Sequence, residues 1–257
     1  MDKTAPGRFS GLVPGLRVWG IWPCAVMILS QQTAAHAMDR SFPLAISLLT
    51  FSGTAAMYGA DRFLERLRQK QIADRHRRVP FWDGVFVVCI FLAALPVIPQ
   101  LSSEILSWLA VLGVAGAFYL AVTVRLLRPP LLLKELLGAF CFSCLVWGLL
   151  PLALLPICAF YMMATANFML SSHADRQRDA ANGLHSLAIS HEMVNLWLAR
   201  FLSIAGASLF FWHFGWTMLF GWVALAHGLW PAGKTDRIDL AFIPLLGIVP
   251  IFFSAYP

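Results

Sequence analysis

Charge is what this sequence has least of. Of 257 residues only 12% are Asp, Glu, Lys or Arg, while 59% are hydrophobic and the mean hydropathy is +0.72. A soluble domain carries about 25% charged residues, so the shortage excludes a water-soluble globule and points to an integral membrane protein. A compact apolar core ending in a small-residue cleavage site is missing from the opening MDKTAPGRFSGLVPGLRVWG, and no removable signal peptide is expected. Metal-type cysteine spacing is missing too. The five cysteines, at 24, 89, 141, 144 and 158, all lie in apolar runs. Cys141 and Cys144 form a C-x-x-C without a second pair or a histidine at metal spacing, which reads as small packing residues. The longest absence is internal: no charged residue occurs between Glu135 and Asp175.

What is present is a series of apolar stretches separated by short charged segments. A spanning helix needs roughly 20 apolar residues, so the chain has room for eight or nine spans and for no soluble domain beside them. The expected architecture is an all-α membrane protein, a single domain over residues 1–257. Its nine spans fall at about 18–35, 42–60, 82–98, 105–124, 136–151, 156–174, 192–212, 215–230 and 240–256. The gap after Glu135 contains 39 residues. As one helix it would be about 58 Å long, nearly twice the roughly 30 Å of a hydrocarbon core. Pro151 and Pro156 mark the expected hairpin inside it, because proline breaks the helical ladder.

The net charge of +6 raises the possibility of nucleic acid, but the distribution favours a bilayer. With nine spans and the N-terminus inside, the cytoplasmic segments hold 17 of the 19 basic residues, leaving only Arg40 outside and Arg200 within a span. That bias is the positive-inside pattern. No nucleic-acid or protein partner is expected.

Against this background two short stretches concentrate the chemistry. Ala60-Asp61-Arg62 leads to Glu65, and Ala174-Asp175-Arg176 leads to Asp179. Residues four apart on a helix share a face, so each stretch presents a carboxylate pair whose like charges call for compensation. A hard divalent cation fits, because Mg2+ is bound through one or two carboxylates plus substrate phosphates. Four spans separate Asp61 from Asp175, an even number, which sets both pairs at the cytoplasmic face. The blander reading treats them as interfacial charges neutralised by Arg62, Arg66, Arg176 and Arg178.

The stretch Asp175-x-x-x-Asp179-x-x-x-Gly183-x-x-Ser186-Leu187-Ala188 resembles the second aspartate-rich motif of the UbiA-type intramembrane prenyltransferases. Tyr58-x-x-Asp61-x-x-x-Glu65 resembles that family's first motif, N-D-x-x-D-x-x-x-D. Met57 and Tyr58 stand where the family has Asn-Asp, Glu65 stands for its last aspartate, and Ser171-Ser172 replace a frequent Asn-Asp. Arg78-Val79-Pro80 is similar to the Arg-Pro segment that closes the basic loop, and Leu16-Arg17 to the family's opening of the first helix.

The resemblance implies Mg2+-dependent transfer of an isoprenyl group from its diphosphate to a small lipophilic or aromatic acceptor. A central cavity open to the cytoplasmic side would house the reaction, in a multi-pass protein of the bacterial cytoplasmic membrane. It further implies that Asp61, Glu65, Asp175 and Asp179 hold the metal, with Asp61, Asp175 and Asp179 central to catalysis. Arg17, Arg78 and Lys134 would cradle the diphosphate. Tyr58, one turn before Asp61, is a further catalytic candidate.

Other polar residues carry two readings. Asn167 either contacts substrate in the pocket or makes an interhelical hydrogen bond. His173 is a ligand or base, or else a solvated interfacial histidine, and His185 and His191 are expected to face water. Arg200 lies near enough to a span end to snorkel. A terpene cyclase on the same fold, a cation-coupled transporter and an inactive homologue are the alternative functions. Intramembrane carboxylates mark ion paths, but the charges here sit at span ends rather than at the midplane.

Overall fold

A computed structural model describes residues 21–40, 44–68, 92, 98–99, 101–123, 132–148, 150, 154–181, 186–216, 218–231, 238 and 241–247. Among these residues there is no strand. Eight α-helices are formed: α1 (Ile21–Ala37), α2 (Leu44–Arg68), α3 (Ser103–Thr123), α4 (Leu133–Trp147), α5 (Leu154–Ala181), α6 (Leu187–Ser190), α7 (Glu192–Phe214) and α8 (Leu219–Leu229). A short 3-10 helical stretch covers 241–247. The expected spans at 82–98 and 240–256 fall largely outside the described residues.

Among the described residues three helices are long and apolar enough to cross a membrane: Ser103–Val122, Leu154–Gln177 and Glu192–Phe214. The last of these has the packing polarity of a bilayer protein. On α7 the outward stripe is apolar and includes Met193, Trp197, Phe201 and Ile204, whereas the inward face carries Asn195, Ala199, Ser203, Gly206 and Ala207. On α1 and α2 the buried side chains include Ser30, Gln31, Gln32, Thr33, Ser47 and Thr50, while Leu48 is exposed. Small and polar residues inward with large apolar residues outward is the arrangement lipid favours.

The polar inward face of α1 ties that helix to its neighbours. Gln32 Nε2 donates to Ser47 Oγ at 2.8 Å, and Thr50 Oγ1 donates to Gln31 Oε1 at 3.0 Å. Gln31 Nε2 in turn donates to the Leu145 carbonyl of α4 at 3.2 Å. In the turn between α1 and α2, the Arg40 N–H reaches the Ala35 carbonyl at 2.9 Å and the Asp39 N–H reaches His36 at 3.1 Å. Asp39 sits there at φ 52°. This is the Schellman closure, with an aspartate at the left-handed position glycine usually fills.

The uncharged run after Glu135 breaks as expected. α4 ends at Trp147 and α5 begins at Leu154; Pro151 lies between them, and Pro156 occupies the first turn of α5, where the N–H it lacks has no helical partner anyway. The pair is antiparallel: Glu135 meets Ser172, and Trp147 meets Phe160. α5 also packs on α7, and Gly206 makes that contact close. A Cβ at Gly206 would lie 2.9 Å from the Ala159 carbonyl oxygen.

Aromatic rings fill the space between α4, α5, α7 and α8. Phe160 meets Phe142 edge-on at 5.1 Å and Phe220 at 4.9 Å, and Phe220 meets Phe210 at 5.4 Å. Edge-to-face contacts at such distances are the preferred geometry of ring quadrupoles. These rings pack against one another as a core.

Candidate functional site

Both carboxylate stretches are helical. α2 continues past the apolar run to Arg68, so Asp61 and Glu65 lie on an unbroken helix, although their side chains fall outside the described structure. Likewise α5 carries Asp175 and Asp179 one turn apart before ending at Ala181. The two residues of each pair are therefore one helical turn apart on a single helix.

Helix register shows how the two stretches relate. Thr50, Gln31 and Leu145 are joined by hydrogen bonds and so lie at one level of the bundle. Trp108 Nε1 donates to the Cys144 carbonyl at 2.8 Å, which places that turn of α3 at the same level. Further along, Gly116 of α3 abuts Met57 of α2. From Thr50 to Met57 is about 10 Å of rise and from Trp108 to Gly116 about 12 Å. The two routes agree, and both run toward the N-terminus of α4. Extending α2 by one more turn brings the backbone of Asp61 level with Glu135, and hence with Ser172. The C-terminal ends of α2 and α5 thus share one end of the bundle. α2 packs on α1 and α3, and α5 on α4, α7 and α8, so the α4 N-terminus stands between the two ends.

Around the C-terminal turns of α5 the polar contacts are well defined. Ser172 Oγ donates to Glu135 Oε1 at 2.7 Å. Glu135 is only 2% exposed, and its Oε2 is buried without a hydrogen-bond partner among the described residues. On the other flank, Arg176 Nη2 pairs with Glu192 of α7 at 2.8 Å, and Arg176 Nη1 donates to the His173 carbonyl at 2.8 Å. His173 Nε2 lies 3.7 Å from the same Glu192 carboxylate. His173 is 3% exposed, so it is buried between α5 and α7 rather than solvated, correcting that expectation. Asp179 is buried and Asp175 half-buried, each with further interactions of its own. Arg176 is directed to α7, which weakens the reading in which it neutralises the aspartates on its own helix.

The remaining predicted residues divide by position. Lys134 lies in the first turn of α4, half-buried and engaged, at this same end. Tyr58 is half-buried on α2, one turn before Asp61. Arg17 and Arg78 lie outside the described residues, as does His185. His191 is exposed, as expected. Ser186, in the Ser-Leu-Ala tail of the second motif, caps α6 by accepting from the Ile189 N–H, and Ala188 beside it is buried. Arg200 reaches the Trp230 carbonyl at 3.2 Å, and its guanidinium lies 5.5 Å from the centre of the Trp197 ring.

Asn167 takes the interhelical bond. Its amide lies 3.0 Å, at Oδ1, from His227 Nε2 on α8, and His227 is fully buried. His227 Nδ1 sits 2.7 Å from the Val223 carbonyl, which can only accept, so the ring proton is on Nδ1. A neutral ring then accepts at Nε2, and the amide NH2 of Asn167 is the group that suits it.

Sequence reasoning passed over Glu135 and His227. Glu135 served only to bound the uncharged run; its signal was a carboxylate already inside the first turn of an apolar helix. His227 offered none beyond being a histidine within a span.

The polar groups gathered at this end include the Glu135 carboxylate and the Ser172 hydroxyl, oxygen donors of the kind a hard cation takes, together with Lys134, His173 and Arg176. Among the described residues no three His, Cys, Asp or Glu side chains converge on a single point. Asp175 and Asp179 lie one turn apart on α5, each engaged in further interactions. No protein-family model, curated protein or solved structure matches the chain.

Proposed function

We propose that the protein is an intramembrane prenyltransferase that moves an isoprenyl group from its diphosphate to a small lipophilic or aromatic acceptor. The observation that carries this reading is the shared end of α2 and α5. Two helices with the same Ala-Asp-Arg lead-in and a carboxylate four residues after the aspartate finish at one level of an apolar bundle. In the full reading nine helices span a bacterial cytoplasmic membrane, the N-terminus is inside, and the carboxylate end is the cytoplasmic mouth of a cavity.

At that mouth Asp61, Glu65, Asp175 and Asp179 would hold Mg2+, which when bound neutralises the charge developing on the leaving diphosphate. Arg17, Arg78 and Lys134 would bring cations to the remaining oxygens, where charge-assisted hydrogen bonds would orient them. The carbon–oxygen bond to the diphosphate breaks, and the allylic carbon forms a bond to the acceptor, which releases a proton. Apolar packing behind the mouth keeps water from the allylic cation. Tyr58, half-buried one turn before Asp61 on α2, would stand beside the reacting groups.

Purified protein incubated with isoprenyl diphosphates, Mg2+ and a panel of aromatic acceptors tests this reading. The expected result is diphosphate release and a prenylated acceptor, both abolished by EDTA. Release without any acceptor, yielding a cyclised hydrocarbon, would make it a cyclase instead. Release indifferent to EDTA would sink the metal site altogether.

A further inference from the structure

Glu135 is a buried carboxylate that the two aspartate-rich stretches do not include. A buried carboxylate is ordinarily matched by a cation or by several N–H donors, because an uncompensated buried charge is costly. Among the described residues Glu135 has one partner, the Ser172 hydroxyl, and its Oε2 has none. Lys134 is its neighbour in sequence, but adjacent residues do not face each other on a helix. Arg176, the nearest described arginine on α5, is committed to Glu192 and the His173 carbonyl.

Ser172 also fixes where Glu135 lies relative to the aspartates. With 3.6 residues per turn, Asp175 and Asp179 fall about 60° and about 20° from Ser172 around α5. Phe168, one turn back on the same stripe, is the ring that a Cβ at Gly138 of α4 would meet at 2.8 Å. The stripe Phe168–Ser172–Asp175–Asp179 therefore runs along the side of α5 that faces α4. Glu135 meets this stripe one turn inward from Asp175.

We propose that Glu135 supplies a third, inner carboxylate to the acidic end of α5, its Oε2 ligating a divalent cation together with Asp175 while Ser172 holds Oε1. The proposal rests on the reading of Asp175 as a metal carboxylate. It adds a ligand from α4, a helix that carries neither aspartate-rich stretch. Two carboxylates leave the rest of an Mg2+ shell to water and phosphate oxygens, which is how that ion is usually held. It also gives the orphaned oxygen a charge partner at a depth where water is scarce.

The test is Mn2+ binding to the purified full chain, followed by electron paramagnetic resonance, with melting temperatures recorded in EDTA and in Mn2+. Wild type, E135Q, S172A and D175N are compared. E135Q keeps an oxygen for Ser172 and removes the charge. It is expected to weaken Mn2+ binding about tenfold or more while melting in EDTA no lower than wild type. S172A, which keeps the carboxylate but loses its support, is expected to weaken binding by a smaller factor, and it carries the test if E135Q fails to fold. If D175N loses Mn2+ and E135Q or S172A binds it like wild type, the proposal is overturned and the aspartate reading survives. An equal Mn2+-induced rise in melting temperature for E135Q and wild type also overturns it, leaving Glu135 a structural role. Failure of the wild type to bind Mn2+ overturns both.

Discussion

Asn167 and His227 satisfy each other inside the bundle: the His227 ring bonds its own helix at the Val223 carbonyl and α5 through Asn167. Removing one partner strands the other. Asn167→Leu should cost about 1–3 kcal/mol, because a buried imidazole nitrogen then lacks a partner. Adding His227→Phe should recover much of that loss, since replacing both polar groups by apolar ones of similar shape is nearly neutral. Denaturation in detergent micelles measures both variants, and a double variant as unstable as the sum of the singles would contradict this role. Glu135 is the opposite case, with one oxygen bonded and the other without a partner among the described residues. Glu135 and His227 were hard to read from sequence for the same reason: a lone polar residue in an apolar run does not reveal which helix will face it.

Among the helices, ends carry most of the information. α1 and α2 are held by the turn at 38–40, where Asp39 occupies φ 52°. A non-glycine residue there costs roughly 1 kcal/mol, so Asp39→Gly should raise stability by about that much in the same unfolding assay; a loss of stability would contradict the Schellman assignment. The sequence made the division into α4 and α5 legible, because 39 uncharged residues cannot form one span; of the two prolines expected to mark the hairpin, Pro151 falls between the helices and Pro156 within the first turn of α5. It also made each carboxylate pair legible as a face, because spacing of four on a helix allows nothing else. Helix lengths were less readable. α2 runs eight residues beyond the apolar stretch at 42–60 to Arg68, since charged residues such as Arg62, Glu65 and Arg66 are good helix formers and hydropathy marks only where the membrane ends. The link of Arg176 to Glu192, and the burial of His173 beside it, depend on how α5 and α7 turn toward each other, which no local pattern encodes.

For the molecule as a whole, membrane character was readable from composition, and the apolar outward stripe of α7 agrees with it. The shared end of α2 and α5 follows from register. Hydrogen bonds through Gln31 and contacts through Trp108 and Gly116 lead independently to Asp61 lying level with Glu135 and Ser172. If these ends form one site, their carboxylates act as a unit, and losses of function at the two stretches will not multiply. Residues that work together in a site show this non-additivity. Isoprenyl diphosphate cleavage with Mg2+ should be measured for wild type, Asp61→Ala, Asp175→Ala and the double variant. Each single substitution should lower the rate about a hundredfold or more, with the double variant little worse than the poorer single. Wild-type rates in Asp61→Ala, or single-variant losses that multiply in the double variant, would contradict a common site at the shared end of α2 and α5.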